Sequence, residues 1–237
     1  MAIRALALAA IIVVSTAPAS AQLEQVFKKL GLGKRNELSD EKITSGLKEA
    51  LQVGTDNAVR STGRPDGYFG NEAIKVLMPE KLRTLEKGLR AIGYGPDVDE
   101  FVLSMNRAAE RAAPHAKAIF WGAILELSFE DARQIFSGGD TATTDYFRDK
   151  TTDKLVGAFT PVVEEATDEI GVTRQYSQLV GRARAIPFLK SEFVDINEYV
   201  VSKALDGLFY VLAEEERKIR KDPAARITEL LKEVFGK

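Results

Sequence analysis

Apolar side chains recur at intervals of three and four residues along most of the chain that follows Ser39. This spacing places them on one face of an α-helix, so the pattern predicts a succession of amphipathic helices. The clearest helix begins at Pro96 and Asp97. Its apolar face consists of Val98, Phe101, Val102, Met105, Ala108, Ala109 and Ala112.

Capping and breaking residues mark the ends of these helices. Ser39 can cap a long helix that begins near Asp40, and Gly63 followed by Pro65 ends it. The stretch 140–170 is expected to contain two helices that meet near Thr151. We expect about ten helical segments in one compact all-α domain over residues 39–237, with short gaps that favour antiparallel neighbours.

One connection interrupts the helical pattern. The stretch RPDGYFGNEAIKVLMPEKL (residues 64–82) combines an Arg-Pro-Asp-Gly turn, aromatic residues and an extended run stopped by Pro79. It is either a crossover held on the core or a functional element, since long irregular connections are uncommon in compact domains. A functional element would be a lid over a pocket or a short strand offered to a partner. The crossover interpretation assigns Tyr68, Phe69, Ile74, Val76 and Leu77 to the core.

The helix that begins near Asp195 and continues to Lys221 has an apolar arc of more than half its circumference, which predicts packing on several sides. The remaining stripe is polar, and it includes Tyr199, Lys203, Asp206 and Tyr210. This stripe is either a solvent face with a Lys203–Asp206 ion pair or the polar wall of a pocket. The acid-then-base run EEERKIRK that follows (residues 214–221) is expected to be a solvated helix end.

The first residues have the layout of a secretory signal peptide. A basic residue, Arg4, precedes the apolar run ALALAAIIVV, and an Ala-Ser-Ala cleavage site precedes Gln22. The apolar run is too short for a permanent membrane anchor. We therefore expect a signal peptide over residues 1–21, an exported periplasmic protein, and a short, loosely attached helix with a linker over residues 22–38.

The composition of the chain excludes several kinds of covalent modification and partner. The chain has no cysteine, so neither disulfides nor a lipid-anchor site is expected. Removal of Arg4 leaves 32 basic and 35 acidic residues, a net charge of −3, without a charged block that would indicate a nucleic-acid partner. No later segment is long and apolar enough to predict a transmembrane helix in the mature chain.

Few residues suggest catalysis or metal binding. The sequence has a single histidine, His115, and no G-x-S-x-G nucleophile motif that would accompany it in a serine hydrolase. With one histidine and no cysteine, the usual sets of zinc ligands are unavailable. The acids of PDVDE (residues 96–100) fit a first helical turn better than a calcium loop. The glycine-rich turn at residues 137–148 could present free N–H groups to an anion, although Asp140 is a suitable cap. We therefore predict no catalytic residue, metal or cofactor, and an enzyme is not favoured.

Glycines also occur inside the helical patterns, at Gly88, Gly122, Gly157, Gly181 and Gly207. Each costs helix stability relative to alanine. Close approach between helices is the simplest compensation, and a ligand pressed against the backbone is the alternative.

Four stretches together resemble the bacterial domain-of-unknown-function family 4197. They are RPDGYFGNEAIKVLMPEKL, EFVLSMNRAAERAAPHA, GGDTATTDYFR and KALDGLFYVLAEEERKIRKDPAARITELLKEVFG, and the resemblance extends from about Ser39 to Gly236. It implies an exported helical protein of Gram-negative bacteria without an assigned activity. The resemblance does not identify any catalytic residue in this chain.

The expected function is a non-enzymatic binding module that holds an apolar or amphipathic small ligand between helices. The alternative is a protein-interaction or envelope-assembly factor. An enclosed apolar cavity would favour the first, and an exposed apolar patch over a solid core the second. The candidate ligand or partner contacts are Arg64, Tyr68, Phe69, Tyr199, Lys203, Asp206 and Tyr210.

Overall fold

The structure is a computed structural model that describes residues 39–184 and 194–236. The expected signal peptide and the expected short helix of residues 22–38 lie outside the described residues. The described residues all belong to the compact unit that begins at Ser39.

Within the described ranges the chain forms nine α-helices and no strand, which confirms the all-α prediction and lowers the expected count slightly. Three short 3-10 turns, Glu80–Leu82, Ala113–His115 and Pro223–Ala225, adjoin them. The helices are α1 (Asp40–Gly63), α2 (Arg83–Ala91), α3 (Gly95–Ala112), α4 (Ala116–Glu126), α5 (Phe129–Ser137), α6 (Ala142–Ile170), α7 (Val172–Arg184), α8 (Ile196–Lys221) and α9 (Glu229–Phe235).

Side-chain caps fix several helix starts where the sequence places them. The Ser39 hydroxyl accepts a hydrogen bond from the backbone N–H of Lys42, and the Asp195 carboxylate accepts one from the backbone N–H of Glu198. Ser128 and Asp131 form a capping box at the start of α5. Each cap satisfies an N–H group that has no partner within the helix.

Helix α6 corrects the prediction of two helices that meet near Thr151. It is continuous over residues 142–170, because the Thr151 hydroxyl bonds the carbonyl of Phe147 and leaves the helical backbone intact. Pro161 also lies inside this helix. The buried face of α6 includes Phe147, Leu155, Phe159 and Val163, whose spacing remains helical throughout.

Helices α1, α3, α6 and α8 surround the main core, and α8 contacts the other three. The wide apolar arc predicted for α8 is confirmed. Val211 in this arc is half-buried, and the other apolar residues of the arc are buried, namely Ile196, Val200, Val201, Ala204, Leu205, Leu208, Phe209 and Leu212. The predicted apolar face of α3 is likewise buried throughout.

The glycine prediction is largely wrong. A Cβ atom added at Gly122, Gly157 or Gly181 would meet no atom within 4 Å. At Gly207 it would lie 2.5 Å from Cε1 of Tyr68 and 3.1 Å from Cβ of Ile74. The close approach at Gly207 is therefore to the connection of residues 64–82 rather than to another helix.

Candidate functional site

The connection of residues 64–82 lies against the C-terminal half of α3 and against α8. Tyr68 is fully buried, and its hydroxyl donates to the backbone carbonyl oxygen of Ala204 over 2.5 Å. Burial, with smaller contributions from Glu110 and Asp206, raises the pKa of the Tyr68 phenol. Tyr68 therefore anchors the connection to α8 and is not available to a ligand.

Glu110 holds the turn of the connection from the α3 side. Its buried carboxylate accepts the backbone N–H groups of Tyr68 and Phe69 over 3.1 and 3.2 Å. Arg107 donates to the same carboxylate and to Asp66, each over 2.7 Å. Asp66 has a left-handed backbone (φ 58°), so these bonds stabilise an uncommon conformation.

Asn106, one helical turn before Glu110, holds the extended part. Its side-chain carbonyl accepts the N–H of Val76, and its amide donates to the carbonyl of Val76, both over 2.8 Å. The flanking residues alternate, with Ile74 and Met78 buried and Leu77 54% exposed. The assignment of Leu77 to the core is therefore wrong, because the side chains of an extended segment point alternately to opposite sides.

A groove follows the seam between residues 73–83 and α8, with a volume of about 1070 Å³. Tyr199 crosses its edge, donating from its hydroxyl to the carbonyl oxygen of Leu77 over 2.9 Å. Lys203 and Asp206 pair over 3.0 Å, as the sequence predicts. Tyr210 lies farther along the same helix and is 45% exposed. The groove thus collects four of the seven candidate contacts on one wall.

The groove carries charges of both signs. Its lining has four basic and four acidic residues, namely Lys75, Lys81, Arg83 and Lys203, and Glu80, Asp195, Glu198 and Asp206. Burial raises the pKa of the Tyr199 phenol; Glu80 raises it further and Arg83 opposes this. A lining of mixed charge with exposed apolar side chains suits an amphipathic ligand better than a strongly charged one.

The other three candidates lie apart from this wall. Arg64 lines a second depression that shares Tyr210 with the groove. Phe69 lines a third depression and packs under Lys75, whose Nζ lies 4.2 Å from the ring centroid. Leu77 and Met78, which line the groove, were missed as contacts. The alternation of residues 74–78 is the sequence feature that bears on Leu77, but it is too short to decide which side of the segment faces outward.

An apolar pocket also lies between α1, α8 and α9, lined by Leu51, Leu212, Ile219 and Phe235 among others. It has room for about 20 Å³, roughly one water molecule. A small apolar ligand needs several hundred Å³. This pocket therefore cannot serve as the expected ligand cavity.

The start of α6 does not hold an external anion. The buried carboxylate of Glu216 accepts the backbone N–H groups of Thr143 and Thr144 over 3.0 and 2.9 Å, and Arg220 Nε donates to it over 2.9 Å. Asp140 pairs with Lys221 instead of capping the helix. The interpretation of residues 214–221 as a wholly solvated helix end is therefore wrong at Glu216.

His115 is exposed. Among the described residues, no group of three or more His, Cys, Asp or Glu side chains could hold a metal ion. No described helix meets the length and apolarity needed to cross a membrane.

A family model, described as a protein of unknown function (DUF4197), matches residues 37–236. The chain belongs to the DUF4197 family. Comparisons with curated proteins and with solved structures found no match. All residues that line the groove of this DUF4197 chain lie within the matched region.

Proposed function

We propose that this DUF4197 protein is a non-enzymatic binding module of the periplasm. Its site is the groove between residues 73–83 and α8, and its ligand is amphipathic. The observation that carries the proposal is the open groove, which exposes Leu77 and Tyr210 beside charges of both signs.

Rigidity supports binding at this place. Asn106 and Glu110 fix the backbone of the connection, and Tyr199 bonds it at Leu77. Because these bonds already hold the wall in place, ligand binding needs to order few further side chains and loses little conformational entropy. The connection accordingly serves as one side of the proposed site.

The signal-peptide pattern of residues 1–21 supports export. Cell fractionation and intact mass measurement test this part of the proposal. The expected result is a periplasmic chain that begins at Gln22. A cytoplasmic chain that retains residues 1–21 would contradict it.

A protein-interaction role is the second candidate, and the same groove favours it. Its openness and charged rim leave a small ligand exposed on one side, whereas a protein partner could cover the rim. Leu77 and Tyr210 would then be the central apolar contacts. The mass of the captured partner separates the two candidates.

Site-specific photocrosslinking in the producing cells tests the groove as a site. The photoreactive residue p-benzoylphenylalanine replaces Leu77 in one variant and Leu125, which is 70% exposed on α4, in the control. We expect a discrete adduct at position 77 and none of the same mass at position 125. Absence of an adduct at position 77, or the same adduct at both positions, would contradict the proposal.

A further inference from the structure

Four residues line both the groove and the third depression, which has a volume of about 270 Å³ and contains Phe69. They are Lys75, Leu77, Met78 and Arg83, and they therefore lie on the edge that the two depressions share. Two of them are basic and two are apolar, and no described acidic residue lines both depressions. This shared edge is therefore positive and apolar, although the groove as a whole has as many acidic as basic residues.

Lys75 differs from the other lysines that form ion pairs in the described part of the chain. Its side chain is 21% exposed, whereas the side chains of those lysines are between 44% and 63% exposed. The Lys75 ammonium also lies 4.2 Å from the centroid of the Phe69 ring, whose face attracts a cation. Burial of the side-chain stem and contact with the ring therefore fix the position of this charge before a ligand binds.

The ammonium of Lys75 has no close acceptor. Its ion-pair partner, the exposed Glu72, lies 3.7 Å from Nζ, which is too far for a hydrogen bond. Two other acids line the depression that contains Phe69, and both of them, Glu86 and Asp99, are bonded to Arg90. The three N–H donors of Lys75 are thus available to an anion from outside the chain.

Arg83 is the second cation of the shared edge. It pairs with Glu80 over 2.7 Å, and both side chains are exposed. An ion pair so exposed contributes little to stability, because water screens both charges. An anionic group of a ligand can therefore displace Glu80 without loss of a strong protein contact.

An apolar side chain adjoins these cations. Leu77 follows Lys75 by two residues, so the two side chains point to the same side of the extended segment, about 7 Å apart along it. Leu77 is exposed. A molecule with its anionic end at Lys75 would therefore bring the first few carbons of an attached apolar chain against Leu77.

We infer that the shared edge binds the anionic headgroup of an amphiphile, a carboxylate or a phosphate, with Lys75 and Arg83 at the headgroup and Leu77 beside the apolar chain. This inference rests on the proposed function, because it names the class of ligand for the same groove. It also gives Phe69 a role at the site, since its ring positions the ammonium of Lys75.

Isothermal titration calorimetry of the mature chain compares two amphiphiles below their micelle concentrations. Dodecanoate is anionic, and dodecyltrimethylammonium has an alkyl chain of similar length and the opposite charge. We expect dodecanoate to bind at least tenfold more tightly, because only the anion forms a charge-assisted hydrogen bond with Lys75. Equal affinities, or tighter binding of the cation, would overturn the inference.

Substitutions at Lys75 test the residue itself. Lys75→Met removes the charge and keeps an apolar stem, so it should weaken dodecanoate binding at least tenfold without weakening the binding of dodecyltrimethylammonium. Lys75→Arg keeps the charge and the contact with Phe69, so it should bind dodecanoate within about threefold of the wild type.

Lys87→Met is the matched control, because Lys87 is exposed on α2 and lines neither depression. It should change dodecanoate binding less than twofold, and thermal unfolding checks the fold of each variant. Equal dodecanoate binding by Lys75→Met and the wild type, or equal losses in Lys75→Met and Lys87→Met, would overturn the inference.

Acetate separates a headgroup site from a site for free anions. It carries the same carboxylate without the apolar chain, so it should bind at least a hundredfold more weakly than dodecanoate. Acetate binding as tight as that of dodecanoate would overturn the amphiphile and indicate a free anion as the ligand.

The crosslinking result separates this inference from the proposed function. Equal binding of the two amphiphiles, together with a discrete adduct at position 77, would overturn the anionic headgroup and leave the groove as a binding site. Binding of neither amphiphile, together with no adduct at position 77, would overturn both.

Discussion

The side-chain amide of Asn106 forms two hydrogen bonds, each 2.8 Å long, with the backbone of Val76. One residue of α3 thus satisfies both the N–H and the carbonyl of a buried residue in a non-helical segment. Buried backbone groups require such partners. This pairing fixes the segment whose next residue, Leu77, lines the groove.

Asn106→Ala is expected to destabilise the protein by about 2–4 kcal/mol, because it leaves two buried backbone groups of Val76 without their partners. Asn57→Ala is the control, since Asn57 is half-buried and bonds a side chain, that of Glu215, instead of buried backbone groups. Urea denaturation measures both free energies of unfolding. Equal losses for the two variants would contradict the role given to Asn106.

Glu216→Gln removes the negative charge of the carboxylate that accepts hydrogen bonds from Arg220 and from the first N–H groups of α6. Breaking a buried ion pair by changing one partner costs about 3–5 kcal/mol. Glu214→Gln, in the same acidic run, affects only a partly exposed pair with Arg217, so a loss of about 1 kcal/mol or less is expected. Chemical denaturation of both variants gives the comparison, and a loss at Glu216 no larger than at Glu214 would rule out the buried cap.

Gly207→Ala and Gly157→Ala should have opposite effects. A methyl group at position 207 meets Tyr68 and Ile74, so overpacking is expected to cost about 1–3 kcal/mol. At exposed position 157 nothing lies within 4 Å, and alanine should stabilise α6 by up to about 1 kcal/mol. Thermal unfolding measures both changes. A stabilised Gly207→Ala protein would show that the connection does not pack closely on α8.

The pKa of Tyr199 is raised above its ordinary value of 10.0, chiefly by burial. The folded protein therefore holds this proton more tightly than the unfolded chain does. The resulting contribution to stability is complete below pH 10 and is lost as the pH rises through the raised folded pKa.

In an alkaline titration that follows tyrosine absorbance, Tyr199→Phe should remove the ionisation of one phenol at the high-pH end of the curve. It should also cost about 0.5–1.5 kcal/mol near neutral pH, through the lost bond to Leu77. The decline of stability above pH 10 should become shallower. An unchanged titration curve would contradict the burial of Tyr199.

Periodicity predicted the helices well, because each carries enough apolar residues to define a buried face. The buried faces of α3 and α8 follow directly from spacings of three and four residues. The break expected near Thr151 failed because a threonine hydroxyl can bond its own helix, and a sequence pattern does not distinguish that bond from a helix end.

The polar anchors were harder to predict. Glu216 stands in a charged run beside Glu214 and Glu215, yet its spacing from Leu212 and Ile219 places it on the apolar side of α8. Asn106 lies in the same way beside the apolar face of α3. A polar residue within an apolar face was therefore the available signal. Its partner was not predictable, because the partner comes from a distant part of the chain.

Four groove residues, Tyr199, Lys203, Asp206 and Tyr210, could be grouped from the sequence because they share one stripe of α8. The opposite wall could not be assigned in the same way. Leu77 faces outward next to Val76, which is buried and bonded to Asn106, and that bond joins residues thirty positions apart. The sequence pattern of residues 74–78 was too short to decide between the two orientations.

The central claim is that the groove is a binding site. Native mass spectrometry of the protein, purified under non-denaturing conditions from the cells that produce it, tests this claim most directly. The account predicts a non-covalently bound mass on the wild type and on Leu125→Lys, and its loss from Leu77→Lys. Identical spectra for the wild type and Leu77→Lys would contradict a binding site in the groove.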